Sequence, residues 1–154
     1  MTKPALLLLQ YPFAKTSPSG YFQVDTYPLS IILTPKKKLI TITNHEPLFL
    51  KKVFSQTFPK SDISPNLNIF FQFIWQVTLS YNSYLATLQS QCDTLEAKLQ
   101  VSTENKQLYQ IMDIQKSLVY FREATSANLD ALKELAQNKL FQENHALKNH
   151  LRDV

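Results

Sequence analysis

An α+β fold is predicted for this chain of 154 residues: a small, mostly antiparallel sheet packed with helices, plus a long antiparallel helical hairpin. Three features carry that expectation. Short apolar runs separated by turn residues fill positions 5–43; from Phe71 onward apolar residues recur in steps of three and four; and a brief polar interruption near Ser102 divides the helical part in two. The length suits a domain with a real core, and 44% hydrophobic with 12% aromatic residues supplies the material for one.

Taken in order, Leu6–Tyr11 and Tyr21–Val24 read as strands on either side of Ser17-Pro18-Ser19-Gly20, which is turn chemistry. Leu29–Leu33 and Leu39–Thr43 flank Thr34-Pro35-Lys36-Lys37-Lys38 and read as an antiparallel hairpin. The second of these alternates Leu39, Thr41 and Thr43 against Ile40 and Ile42, the period of a strand with two distinct faces. Asn44–Pro47 introduces a short helix over roughly residues 47–56, with Pro47 at a first-turn position where its missing N–H costs nothing, and Phe58-Pro59 ends it. Ser61–Asn66 is a polar linker, so the chain divides into a partial sheet subdomain (1–62), a helical hairpin (63–137) and the start of a stalk-like helix (138–154).

The first long helix spans Leu67–Gln100, about 50 Å at ~1.5 Å per residue. Its expected seam is Phe71, Ile74, Thr78, Tyr81, Leu85, Leu88, Cys92, Leu95 and Leu99. Val101–Lys106 breaks it, with Ser102 or Thr103 as candidate cap and Glu104 favourable to the next helix dipole. The second helix carries Leu108, Ile111, Ile114, Leu118, Phe121, Leu129, Leu132 and Leu135, and the short connection makes the pair antiparallel. A seam of Ile111, Ile114, Leu118 and Phe121 with a charged outer face is expected there.

Composition excludes several function classes. Gly20 is the one glycine in the chain, so neither a glycine-rich dinucleotide loop nor a P-loop can be built. Cys92 is the one cysteine, which rules out an intrachain disulfide and a cysteine-based zinc site. No apolar stretch reaches the length of a membrane helix, and no secretory leader is visible; as given, the chain reads as soluble. The net charge of +4 conceals eight lysines against Asp25 and Glu46 up to Lys60, with a slight acidic excess beyond. Lys36-Lys37-Lys38 sits where a hairpin tip belongs, and solvated tip lysines explain it better than nucleic-acid binding does.

The residue clusters yield little chemistry. His45 beside Glu46 is a loop residue without a second ligand at metal spacing, and His145 and His150 fall on different faces of a helix. Asp113, Glu123, Asp130 and Glu134 interleave with Lys116, Arg122 and Lys133, the pattern of an exposed face rather than a carboxylate cage. Phe70, Phe71, Phe73 and Trp75 read as core, with Phe73 and Trp75 placed to leave an exposed apolar surface that favours oligomerisation. No nucleophile motif is present, and the chain is not expected to be an enzyme.

Four segments together resemble the cytoplasmic domain of the CorA family of magnesium and divalent-cation transporters. They are Pro28–Thr34 followed by Leu39–Asn44; Leu88–Leu99 with Asp93-Thr94-Leu95-Glu96; Met112–Leu135 around Lys116-Ser117-Leu118-Val119-Tyr120-Phe121; and Leu151-Arg152-Asp153-Val154. The resemblance implies a truncated soluble domain of a transporter whose parent protein is integral to the membrane. The family's first strands and helices, both membrane helices and the Gly-Met-Asn signature are missing from these residues. It also implies a homo-oligomer, Mg2+ as regulatory or transported ion, and Asp153 as the position matching a stalk-helix ligand for regulatory magnesium. The family's partner carboxylate would fall near Thr2-Lys3-Pro4, where this chain has no acid. The residues themselves demand no cofactor. The reading is therefore the regulatory part of a CorA-like transporter, taking part in metal-linked gating and assembly without conducting. The alternative is a non-transport helical-hairpin module for oligomerisation or protein binding.

Overall fold

The structure, a computed structural model, describes residues 3–36, 38–55, 64–101 and 104–138. Strands β1 (Ala5–Thr16), β2 (Phe22–Leu33) and β3 (Leu39–Thr43) form an antiparallel sheet in the order β1-β2-β3. The short helix α1 (Leu50–Ser55) leads to the long helices α2 (Pro65–Leu99) and α3 (Asn105–Ala136). The α+β architecture is the one expected from the sequence.

The apolar runs 21–24 and 29–33, expected as separate strands, are one strand. β2 continues through Pro28 because β1 runs on to Thr16 and pairs with all of it, from Ala5 opposite Leu33 to Thr16 opposite Phe22. Pro28 lies opposite Gln10, whose amide N–H is bonded to the Asn128 side chain rather than to β2, and pairing with β3 begins one residue later at Leu29. The ladder therefore requires no N–H at Pro28. The β1–β2 turn closes with Ser17 N–H to Tyr21 O at 2.8 Å and Gly20 N–H to Ser17 O at 2.9 Å, and Gly20 takes φ +84°, which only glycine adopts cheaply.

Alternation decides the sheet faces. Leu7, Leu9 and Tyr11 of β1 and Leu29, Ile31 and Leu33 of β2 point into the core beneath α2 and α3. On the opposite face the register aligns Leu6, Ile32 and Ile40 in one row and Leu8, Ser30 and Ile42 in the next. Leu6, Leu8, Ile40 and Ile42 are exposed there.

The predicted short helix begins later, at Leu50; Pro47 instead accepts Leu50 N–H in the preceding turn, and Phe58-Pro59 lies outside the described residues. In α2 the buried seam is Phe70, Phe71, Ile74, Val77, Tyr81, Leu88 and Leu95, with Tyr84 and Cys92 half-buried. Thr78 and Leu85, expected in the seam, are exposed, and the preceding residues Val77 and Tyr84 turn inward in their place. Phe73, expected at an open surface, is fully buried against Phe49 and Phe54, whereas Trp75 is exposed. Open apolar area also lies on the outer face of the sheet.

The N-cap of α3 is Glu104, whose backbone N–H is bonded by Gln107 Oε1 at 2.8 Å; the expected caps Ser102 and Thr103 lie outside the described residues. The two long helices are antiparallel neighbours, with the Tyr81 and Phe121 rings edge-on at 5.1 Å. However, α3 packs chiefly on β1 and β2 rather than on α2. The hairpin is thus one layer of the sheet domain.

Candidate functional site

The strongest correction concerns α3. Its inward face carries Gln107, Asp113, Ser117 and Asn128, all buried, alongside Ile114, Phe121, Ala124 and Leu135. Ile111 and Leu118, expected in the seam, point outward with Leu108, Met112, Val119 and Leu129, and Asp113, expected on the charged outer face, is buried. Glu123, Asp130, Glu134, Lys116, Arg122 and Lys133 do lie on the exposed side.

The buried polar groups hold the helix to the strands. Asn128 makes a two-point amide contact with the edge of β1: Gln10 N–H donates to its Oδ1 at 2.7 Å, and its Nδ2 donates to Gln10 O at 2.8 Å. That pair imitates a neighbouring strand. Tyr81 OH also donates to Gln10 O, at 3.0 Å, and burial pushes its pKa well above the ordinary tyrosine value despite the opposing effect of Asn128. Eleven residues earlier, Ser117 Oγ accepts Val24 N–H at 2.9 Å and donates to Asp113 O at 2.9 Å. Val24 lies where β2 has run past the end of β3, so the serine satisfies an amide that the sheet leaves open. At the hairpin turn Ser17 Oγ donates to Asp113 Oδ2 at 2.6 Å and accepts Tyr21 N–H at 3.3 Å.

A second cluster surrounds His45. Its ring lies 4.1 Å from Tyr27 and 5.6 Å from Phe13, centroid to centroid, and Tyr11 OH donates to its carbonyl at 2.7 Å. Desolvation raises the Tyr11 pKa, partly countered by its contact with Thr43 Oγ1. Next to this cluster, a cleft of about 260 Å³ opens between Tyr11, Phe13, Phe49 and Tyr84. Among the described residues His45 forms no salt bridge, and the cluster is aromatic packing around a loop. Lys15 donates to Asp25 Oδ2 at 2.5 Å, which raises the lysine pKa; this partly exposed pair is worth at most about 1 kcal/mol.

Among the described residues no group of three or more His, Cys, Asp or Glu side chains could hold a metal ion, and no helix is long and apolar enough to cross a membrane. Asp153, His145 and His150 lie outside the described residues, as does Lys37; Lys36 and Lys38 occupy the exposed β2–β3 turn. Sequence reasoning missed Ser17, Ser117 and Asn128. The available signal was the three- and four-residue spacing of Asp113, Ser117, Phe121, Ala124 and Asn128, a single helical track that mixes small polar with apolar residues.

The arrangement defines a structural class: an α+β domain whose buried polar groups position a helix on a sheet. The family model of the CorA-like Mg2+ transporter protein matches residues 2–154, and the chain belongs to that family, one of transporters rather than enzymes, with Mg2+ as the transported ion. No curated protein and no solved structure matches the chain.

Proposed function

We propose that these residues form the cytoplasmic regulatory part of a CorA-like Mg2+ transporter, taking part in metal-linked gating and subunit assembly without conducting ions themselves. The family match over residues 2–154 carries this reading. The organisation proposed is a sheet subdomain (1–62), a helical hairpin (63–137) and the beginning of a stalk helix (138–154), with Asp153 contributing to a regulatory Mg2+ site between neighbouring subunits. Magnesium keeps several waters and takes one or two carboxylates, so a single aspartate per chain gives weak binding unless subunits share the ion. Metal shifts assembly only through different affinities for the two states.

The test is sedimentation velocity of the whole chain across millimolar Mg2+. A metal-dependent rise in assembly size, abolished by Asp153→Asn, is the expected result. An identical profile with and without Mg2+ would remove the metal-linked part of the proposal. A second reading, a non-transport oligomerisation or protein-binding module, is supported by the outward apolar residues of α3 and the open face of the sheet.

A further inference from the structure

We propose that the outer face of the sheet, with the lysines at its β2–β3 turn, docks on the surface of an anionic phospholipid bilayer. The face opposite the long helices presents Leu6 (65% exposed), Leu8, Ile40 and Ile42 (57%) to solvent. Strand alternation puts them there: Leu7, Leu9 and Ile31 turn inward, and an antiparallel sheet with one wet face ordinarily carries polar residues between such positions. The register draws Leu6, Ile32 and Ile40 into one row and Leu8, Ser30 and Ile42 into the next, so the exposed aliphatic side chains share one patch.

The charges bordering this patch select the occupant. Ala5 lies opposite Leu33 and Leu33 opposite Leu39, which brings Lys3, Lys36 and Lys38 to the same end of the sheet, next to the Leu6 row. All three lysines are exposed, and none forms a salt bridge among the described residues. The turn carrying two of them is held by Thr34 N–H to Lys38 O at 2.9 Å and Lys38 N–H to Thr34 Oγ1 at 3.0 Å. No nearby acid of the sheet offsets them. Asp25, the one acid in residues 1–45, is bonded to Lys15 and stands roughly 26 Å from Leu33 along β2, at ~3.3 Å per residue. That separation exceeds the screening length at physiological salt. An aliphatic patch bordered by unpaired lysines matches both layers of a lipid interface: the aliphatic groups enter the headgroup–acyl boundary, and the lysines reach the phosphates. A nucleic acid would use the lysines and leave the aliphatic rows wet, whereas a purely apolar partner would leave the lysines unmatched.

The contact involves neither transport nor bound metal, and its test is flotation of the full chain with lipid vesicles in EDTA, which removes bridging by divalent cations. Vesicles of equal parts phosphatidylcholine and phosphatidylglycerol should carry the protein, and vesicles of phosphatidylcholine alone should not. Raising salt from about 0.1 M to about 1 M shortens the screening length and should weaken binding. Lys36→Glu combined with Lys38→Glu should weaken it at least about twentyfold, since each lysine at an anionic bilayer is worth about a fivefold change. Leu8→Ser combined with Ile42→Ser should weaken it at least about tenfold. Leu129→Ser, on the outer side of α3, should leave it unchanged, which separates docking by this face from general adhesion of apolar surface. All of these positions are exposed, and far-UV circular dichroism checks that each variant is folded. No retention on the mixed vesicles, the result expected if another segment or protein covers the face, would overturn the proposal. So would equal retention on neutral vesicles, undiminished binding of either double variant, or an equal loss in Leu129→Ser.

Discussion

Asn128 shows how a single side chain can complete a sheet. Its amide supplies both a donor and an acceptor to Gln10 on the open edge of β1, where a fourth strand would otherwise pair. Replacing it by alanine leaves a buried N–H without a partner, while Gln10 O keeps the Tyr81 hydroxyl. Asn128→Ala is therefore expected to destabilise the fold by about 1–3 kcal/mol in urea unfolding. Protection of the Gln10 amide from hydrogen exchange should fall with it. Unchanged stability would mean that water or a relaxed backbone replaces the amide contact. Ser117 acts in a similar way at the Val24 N–H, and Asp113 accepts from Ser17 at the β1–β2 turn, which is why short polar residues stand on the buried side of α3. In the sequence only their helical spacing hinted at this, because a serine or asparagine in a helix looks equally suited to solvent.

At the scale of elements, the turn-bounded strands and both long helices were legible, because hydrophobic period and Gly/Pro punctuation are local properties. The continuity of β2 through Pro28 was not, since it depends on which side of the strand faces β1. The orientation of α3 was misjudged for a related reason. Large apolar residues occupy both sides of that helix, and periodicity alone cannot say which side meets the sheet. The distinction is measurable. Phe121→Ala removes a buried ring packed edge-on against Tyr81 and should cost about 3–5 kcal/mol. Leu129→Ala, on the outward side at 52% exposure, should change stability by no more than about 0.5 kcal/mol. Equal costs in thermal or denaturant melts would place α3 in a different rotation from the one seen here.

Among the described residues the molecule is one sheet covered on one face by helices, with apolar side chains exposed on its other face and on the outer side of α3. Its response to alkaline pH follows from Tyr81. Burial raises the folded-state pKa above the ordinary value near 10, so above about pH 10 the unfolded chain loses this proton while the folded chain keeps it. The unfolded state then binds fewer protons, and stability must fall as pH rises. Tyr81 alone contributes up to about 1.4 kcal/mol per pH unit in that range. Tyr81→Phe loses the hydrogen bond to Gln10 and is expected to be the less stable form at neutral pH. Its alkaline decline should nevertheless be shallower by one proton, leaving the shares expected from Tyr11 and from Lys15 beside Asp25. Parallel slopes for the two proteins in pH-dependent urea melts would show that Tyr81 ionises as freely in the fold as outside it.

The sequence by itself determined the α+β class, the two long helices, the family and the exclusion of glycine-loop and cysteine chemistry. These are matters of local period, residue count and residue type. Only the tertiary structure decided that Gln10 and Val24 find their partners on a helix about a hundred residues away, and that α3 turns its serine and asparagine inward. The physical reason is that an unsatisfied buried amide costs about as much as burying one more aliphatic side chain contributes. The rotation of α3 is settled by which strand edges lie open beneath it, and that is known only once the sheet has formed.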